Sequence, residues 1–96
     1  MLTGKQKRYL RSMAHHLNPI FQIGKGGVND QLITHIKEAL ETRELIKVSI
    51  LNNNDEDRNE LTQEISGRSG AELVQVIGKT IVLYKESVNH KEIELP

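Results

Sequence analysis

The sequence predicts an α/β fold in which helices and strands follow the order α-β-α-β-α-β-β. Three observations support this prediction. Apolar residues recur at helical spacing, β-branched segments lie between and after the helical ones, and turns rich in glycine or asparagine separate the segments. Crossover connections are right-handed, so the first three strands should be parallel and the last antiparallel. We therefore expect a four-stranded mixed sheet in a two-layer sandwich.

The first helix is predicted over about residues 3–16. Thr3 and Gln6 have the spacing of a capping box at its start. An apolar stripe should face the core, with the basic residues mostly off that stripe. The stripe consists of Tyr9, Leu10, Met13 and Leu17. Asn18-Pro19 ends the helix, because a residue before proline is driven out of the α region. A short strand follows at residues 20–23.

The second helix, about residues 29–42, is the clearest in the chain. Its apolar residues recur at positions i, i+1, i+4, i+7 and i+8, which together form one helical face. They are Leu32, Ile33, Ile36, Ala39 and Leu40. The segment 44–51 that follows is β-branched and alternating, so it predicts the second strand.

A third helix is predicted after the turn Asn52-Asn53-Asn54, with Asp55 as its N-cap. Gly67 or Gly70 should end it. Residues 72–77 and 80–85 then form a hairpin across Gly78-Lys79, a two-residue turn with glycine first. The polar tail, residues 86–96, is expected to be loosely attached, apart from an edge contact that its alternating apolar residues could make.

Composition limits the classes of function. The chain of 96 residues has no cysteine, which excludes disulfides and thiolate metal sites and fits a reducing compartment. No segment approaches the ~18 apolar residues of a membrane span. We expect one cytoplasmic domain with no membrane partner. His15 and His16 point ~100° apart on a helix, which does not suit a shared metal. With no nucleophile and base in local sequence, we expect no enzyme, no cofactor and no small-molecule substrate.

Basic residues are concentrated in the first half of the chain and acidic residues in the second half, although the formal net charge is zero. Residues 1–47 contain eight Lys or Arg and four acids, whereas the remaining residues contain five and nine. Two ordinary solvated faces would also explain this division. The first helix carries a basic cluster, which consists of Lys5, Lys7, Arg8 and Arg11. If this cluster lies near the glycine loop described next, the two form one basic patch.

The loop Gly24-Lys25-Gly26-Gly27 lies between the first strand and the second helix. Glycine reaches positive φ and permits close approach of another backbone, and a helix N-terminus offers unpaired N–H groups. A Gly-x-x-Gly loop is also how KH modules clamp a single-stranded nucleic-acid backbone. Loops of this composition often only turn the chain, so the motif alone leaves both interpretations open.

Five separated segments carry a resemblance to a known family. They are Leu2-Thr3-Gly4-Lys5-Gln6-Lys7-Arg8-Tyr9-Leu10-Arg11, Ala14-His15-His16-Leu17, Ile23-Gly24-Lys25-Gly26-Gly27, Glu44-Leu45-Ile46-Lys47-Val48 and Val74-Gln75-Val76-Ile77-Gly78-Lys79. Together they resemble the CRM domain, named for chloroplast RNA splicing and ribosome maturation, and in particular its bacterial single-domain YhbY-like members. This chain has Gly26 where the family pattern has asparagine.

The resemblance implies a fold similar to the C-terminal domain of translation initiation factor three. It also implies RNA binding over residues 1–96, with ribosomal RNA in precursors of the large ribosomal subunit as the partner and ribosomal proteins as further partners. The expected RNA contact carries over to Gly24, Lys25, Gly26 and Gly27.

Our hypothesis for the mechanism is recognition of the RNA backbone. Loop N–H groups and Lys25 would hold phosphates, and Lys5, Lys7, Arg8 and Arg11 would extend the contact along the first helix. Sequence readout should be slight, because two of the three aromatic residues, Phe21 and Tyr84, are expected in the core. The alternative is a protein-interaction module on ribosomal particles, whose sheet edge or acidic third helix engages a ribosomal protein while RNA contact is incidental.

Overall fold

The computed structural model describes all 96 residues and has the order of elements that the sequence predicts. The elements are α1 (Gly4–Ala14), β1 (Pro19–Ile23), α2 (Asp30–Arg43), β2 (Leu45–Ile50), α3 (Arg58–Ser69), β3 (Glu72–Ile77) and β4 (Thr80–Tyr84). The α/β class and the mixed four-stranded sheet are confirmed. None of the helices combines the length and the apolar character needed to cross a bilayer.

The strands are arranged in the order β1-β2-β4-β3. β1 pairs parallel with β2, and β4 pairs antiparallel with both β2 and β3. The first three strands therefore run in one direction, as predicted, and their C-terminal ends meet at one end of the sheet. The glycine loop, the asparagine turn and the hairpin turn all lie at that end. In the hairpin, Gly78 has a φ of 55°, which fits glycine at the first turn position.

Helices cover both faces of the sheet, so the expected two layers are in fact three. α2 and α3 pack on one face, whereas α1 packs on the other through Leu10 and Ala14. The reason lies in the central strands. Side chains alternate between the two faces of a strand. In β2, Ile46 therefore lies on the face covered by α2 and α3, and Leu45 lies on the face covered by α1. A central strand that is apolar on both faces needs cover on both.

The apolar stripe predicted for α1 is wrong, although its capping box is confirmed. Thr3 and Gln6 exchange hydrogen bonds of 3.0 and 3.1 Å between backbone N–H groups and side-chain oxygens. The buried residues of α1 are Leu10 and Ala14. The other three members of the predicted stripe, Tyr9, Met13 and Leu17, are 37 to 40 % exposed. The small side chain of Ala14 faces the sheet one turn after Leu10, which turns the larger residues to the flank.

The predicted N-cap of α3 is also wrong. Asp57, not Asp55, caps the helix, and its side chain accepts the N–H groups of Asn59 and Glu60 at 2.9 and 3.1 Å. Residues 55 and 56 still belong to the turn, in which Asn54 accepts the N–H of Glu56. Of the two glycines proposed to end α3, Gly70 does so, with a φ of 76°.

The tail, residues 86–96, is firmly attached, which corrects the expectation of a loose tail. Ile93 is only 7 % exposed and joins the core under α1, against which Leu95 also packs. The carboxylates of Glu41 and Glu44, at the end of α2, accept backbone N–H groups of the tail. The donors are Val88 and Asn89 for Glu41, and Ser87, Glu92 and Ile93 for Glu44, all at 2.7 to 2.9 Å. The tail thus ties α2 to α1.

Candidate nucleic-acid interface

The glycine loop forms a tight turn at the C-terminal end of β1. The N–H of Gly27 donates to the carbonyl of Gly24 at 3.0 Å, and Gly27 has a φ of 69°, which favours glycine. The side-chain amide of Asn54 also donates to the Gly24 carbonyl, at 2.9 Å. The first and last glycines are therefore fixed, and Lys25 and Gly26 project from the turn as an exposed tip.

The tip of the loop presents free hydrogen-bond donors. Neither Lys25 nor Gly26 donates its backbone N–H to another group of the protein. A Cβ placed on Gly26 would have no heavy atom within 4 Å, so another molecule can approach the backbone there. Two such N–H groups beside the Lys25 ammonium group suit one phosphate.

The N-terminus of α2 contributes less than the sequence suggests. α2 begins at Asp30, three residues after the loop, and the Asn29 side chain already accepts the N–H of Leu32 at 2.8 Å. Asp30 adds a negative charge that pairs with Arg68. The Glu56 carboxylate lies against Gly27, where an added Cβ would meet it. A phosphate would therefore contact the tip of the loop and not the helix end.

The four basic residues of α1 do not share one face. Arg8 and Arg11 line a hollow with Gln75 of β3, and Lys7 is half-buried. Lys5 is exposed and, at ~100° per residue, lies roughly opposite the side of α1 that packs on the sheet. Arg8 and Arg11 therefore form the part of the basic cluster that faces the rest of the molecule.

The glycine loop lies at one edge of the sheet, and Arg8 and Arg11 lie at the opposite edge. The loop follows β1, whereas Arg8 and Arg11 border β3, and β1 and β3 are the two edge strands. At about 4.8 Å per strand, three strand spacings separate the edges by ~14 Å. The two predicted regions are therefore not adjacent, and a bound strand would have to cross the face of the sheet to contact both.

The face of the sheet on which α1 packs is partly uncovered toward the end that carries the glycine loop. The uncovered positions are half-exposed and mostly polar: Lys47 and Ser49 on β2, Gln75 on β3 and Thr80 on β4. Pairing places Ser49 beside Thr80 and also beside Gln22 of β1. A polar row thus crosses the sheet toward the glycine loop. Lys47 and Gln75 lie in two of the segments that resemble the family, but none of these four residues was predicted from the sequence to contact RNA.

Comparison with known proteins decides the family. The model of the CRS1 / YhbY (CRM) domain matches residues 2–85. The chain belongs to the CRM domain family. This CRM protein is 66 % identical over 96 residues to the probable RNA-binding protein YqeI of Bacillus subtilis, and the match covers all of both chains. It is 38 % identical over 95 residues to a protein of Haemophilus influenzae named RNA-binding protein, covering 99 % of this chain and 95 % of the other.

The fold has a close counterpart among solved structures. The CRM protein matches the solution structure of a hypothetical protein from Staphylococcus aureus with a TM-score of 0.83 and 61 % sequence identity, over 100 % of both chains. The resemblance carried by the five segments is therefore confirmed. The matching family and the names of the relatives indicate no catalytic class.

The family match includes every residue predicted to contact RNA and ends at Lys85, just after β4.

Within the CRM protein, no three His, Asp or Glu side chains are grouped closely enough to hold a metal ion. The rings of His15 and His16 meet edge to face with centroids 5.3 Å apart. His15 caps the C-terminal end of α1, where its backbone N–H donates to the carbonyl of Arg11 at 3.1 Å.

Proposed function

We propose that this CRM protein binds single-stranded RNA through the phosphate backbone. The observation that carries the proposal is the exposed tip of the glycine loop, where the free N–H groups of Lys25 and Gly26 lie beside a lysine side chain. Gly24 and Gly27 fix the turn that presents them. Relatives named as RNA-binding proteins support the same conclusion.

The basic residues of α1 extend the contact away from the loop. Lys5, Lys7, Arg8 and Arg11 form no ion pair with a carboxylate, so their charges are available to phosphates. Little sequence readout is expected from stacking. Phe21 and Tyr84 pack in the two cores, which leaves no row of exposed aromatic rings on the sheet. We propose ribosomal RNA in precursors of the large subunit as the natural partner, as the family resemblance implies.

The salt dependence of RNA binding tests this mechanism. We expect about five phosphate contacts, which give a slope of log K against log salt near −3.5 on a single strand. A fourfold rise in salt should then weaken binding roughly a hundredfold. The measurement is fluorescence anisotropy of a labelled RNA of about 12 nucleotides. Lys25→Glu should weaken binding, whereas Lys37→Glu on the exposed side of α2 should change it much less. A slope near zero would eliminate the mechanism.

A second candidate function is a protein-interaction module on ribosomal particles. The observation that favours it is an exposed acidic group before and within α3, in which Asp55, Glu56 and Glu60 have no ion-pair partner. Asp57 is different, because its carboxylate caps the helix. Under this alternative, charge reversal at the three unpaired acids abolishes association with ribosomal particles, and Lys25→Glu leaves it intact.

A further inference from the structure

A cavity of about 200 Å³ lies between α1 and the uncovered part of the sheet. Arg11 and His15 border it on the helix side, and Lys47, Gln75 and Thr80 border it on the sheet side. The cavity is smaller than the ~300–1,000 Å³ typical of sites for drug-sized ligands. It therefore admits one phosphate or one heterocyclic ring, and the adjoining hollow that includes Arg8 leaves room for the rest of a nucleotide.

The cavity is basic and contains no compensating acid. No Asp or Glu lines it, and none lines the hollow beside it that includes Arg8. Arg11 and Lys47 have no carboxylate partner, in contrast to Arg68 and Lys91, which pair with acids of the same chain. Lys47 is half-buried on a central strand. A partly desolvated cation without a counter-charge is stabilised when an anion binds next to it.

The uncharged residues of the cavity can recognise the edge of a nucleobase. The Gln75 amide offers both donors and an acceptor, and the Thr80 hydroxyl offers one of each. Ile77 lies in the same wall with 60 % of its surface exposed and provides an apolar contact for a ring. A nucleotide site needs cations that bind the phosphate and, beside them, polar groups that form hydrogen bonds with the edge of the base. This cavity has both.

The cavity is connected to the glycine loop across the face of the sheet. Thr80 in the cavity pairs with Ser49, and Ser49 pairs with Gln22. Gln22 also borders a shallow hollow that includes Gly27 of the loop. A strand that binds at the loop tip can therefore reach the cavity over polar side chains, across the ~14 Å between the edge strands.

We propose that this cavity and the adjoining hollow bind one nucleotide of the same RNA strand that contacts the glycine loop through phosphates farther along the strand. Arg11 and Lys47 hold its phosphate, and Gln75 and Thr80 contact its base edge. The inference rests on the proposed RNA-binding function and adds a second point of contact, on the sheet, that fixes the direction in which the strand crosses the protein.

The first test compares Lys47→Gln with Lys37→Gln, which removes the same charge from the exposed side of α2. Both variants are titrated with the labelled RNA of about 12 nucleotides at several salt concentrations. We expect Lys47→Gln to weaken binding about threefold to tenfold and to make the salt slope about 0.7 less steep, as the loss of one phosphate contact requires. Lys37→Gln should leave both quantities unchanged.

The second test uses the unmodified protein, so that it does not depend on the folding of a variant. RNA containing 4-thiouridine is cross-linked by light, and the attached peptides are identified by mass spectrometry. We expect cross-links in β2 or β3 around Lys47 and Gln75, in addition to cross-links in the loop.

Three results would overturn the inference. Cross-links confined to the loop and α1, together with wild-type affinity of Lys47→Gln, would exclude the cavity as an RNA-binding site. RNA binding by the protein, as proposed above, would be unaffected by that result. If the wild-type protein binds no RNA, both the nucleotide site and the proposed RNA-binding function are excluded. Loss of binding to an oligo-aspartate peptide in Lys47→Gln, with RNA affinity unchanged, would assign the cavity to an acidic protein.

Discussion

At the residue scale, Glu44 combines burial with an unusual backbone conformation. It is 1 % exposed and has a φ of 65°, in the region that favours glycine. Burial by itself would raise the pKa of Glu44, but the N–H groups of Glu92, Ser87 and Ile93 outweigh it and hold the pKa below its usual value. Charge-assisted hydrogen bonds of this kind offset the cost of the backbone conformation.

Replacement of Glu44 by alanine should destabilise the protein by about 2–4 kcal/mol, because it leaves buried N–H groups of the tail without an acceptor. The measurement is urea unfolding followed by circular dichroism. Glu38→Ala is the matched control, since Glu38 is an exposed acid on the same helix. Equal effects of the two substitutions would contradict the structural role of Glu44.

The last two glycines of the loop provide a second prediction at the residue scale. Gly27 has a φ of 69°, whereas Gly26 does not have a positive φ and has open space around it. Gly27→Ala should therefore cost about 1–2 kcal/mol of folding free energy, and Gly26→Ala should cost little. Denaturant unfolding of both variants checks the difference. A larger loss from Gly26→Ala would mean that the turn is not fixed by its last glycine.

Residues of the candidate site differ in how well the sequence predicts them. The glycine loop can be read directly from local sequence, because its residue types dictate the turn. Lys47 and Gln75 could be placed on strands, but their proximity to Arg11 depends on the order of strands in the sheet and on where α1 packs. Alternation in β2 did contain a signal, since Lys47 and Ser49 interrupt an otherwise apolar strand on one face only.

At the element scale, the C-terminal tail depends on long-range hydrogen bonds. Its residues have no helical or strand periodicity, and its acceptors, Glu41 and Glu44, lie more than 40 positions earlier in the chain. For this reason the local sequence could not reveal its attachment. The boundaries of the helices and strands, in contrast, follow from periodicity and agree with the sequence to within three residues, including the N-cap of α3, which is displaced by two.

Acid should weaken the attachment of the tail. The N–H groups of Val88 and Asn89 and the Ser87 hydroxyl lower the pKa of Glu41 from 4.5 to about 2, and the pKa of Glu44 is also lowered. A group whose pKa is lowered by folding binds fewer protons in the folded state, so its stabilisation is present above the unfolded pKa and lost as pH falls through the folded one. The stabilisation from Glu41 should therefore decline between about pH 4.5 and pH 2.

Thermal unfolding at a series of pH values checks this prediction, with Glu41→Gln as the comparison. The variant lacks the titrating carboxylate, so its melting temperature should fall less than that of the wild type over the same acidic range. An identical fall in both proteins would show that other carboxylates account for the acid sensitivity.

At the scale of the whole molecule, the direction of the strands was predictable and their arrangement was not. Right-handed crossovers fix the first three strands as parallel. Nothing in the local sequence places β4 between β2 and β3, and this arrangement is what separates the glycine loop from Arg8 and Arg11. The third layer had a signal, because Ile81, Val82, Leu83 and Tyr84 form a continuous apolar run, which is typical of a strand covered on both faces.

The proposed binding of ribosomal RNA by the glycine loop can be tested by cross-linking in cells. Wild type, Lys25→Glu and the control Lys37→Glu are cross-linked to RNA by ultraviolet light, and the attached RNA is sequenced. We predict a peak confined to large-subunit ribosomal RNA in the wild type and the control, and its loss in Lys25→Glu. Absence of RNA above background in the wild type, or an unchanged peak in Lys25→Glu, would show that the glycine loop does not bind ribosomal RNA.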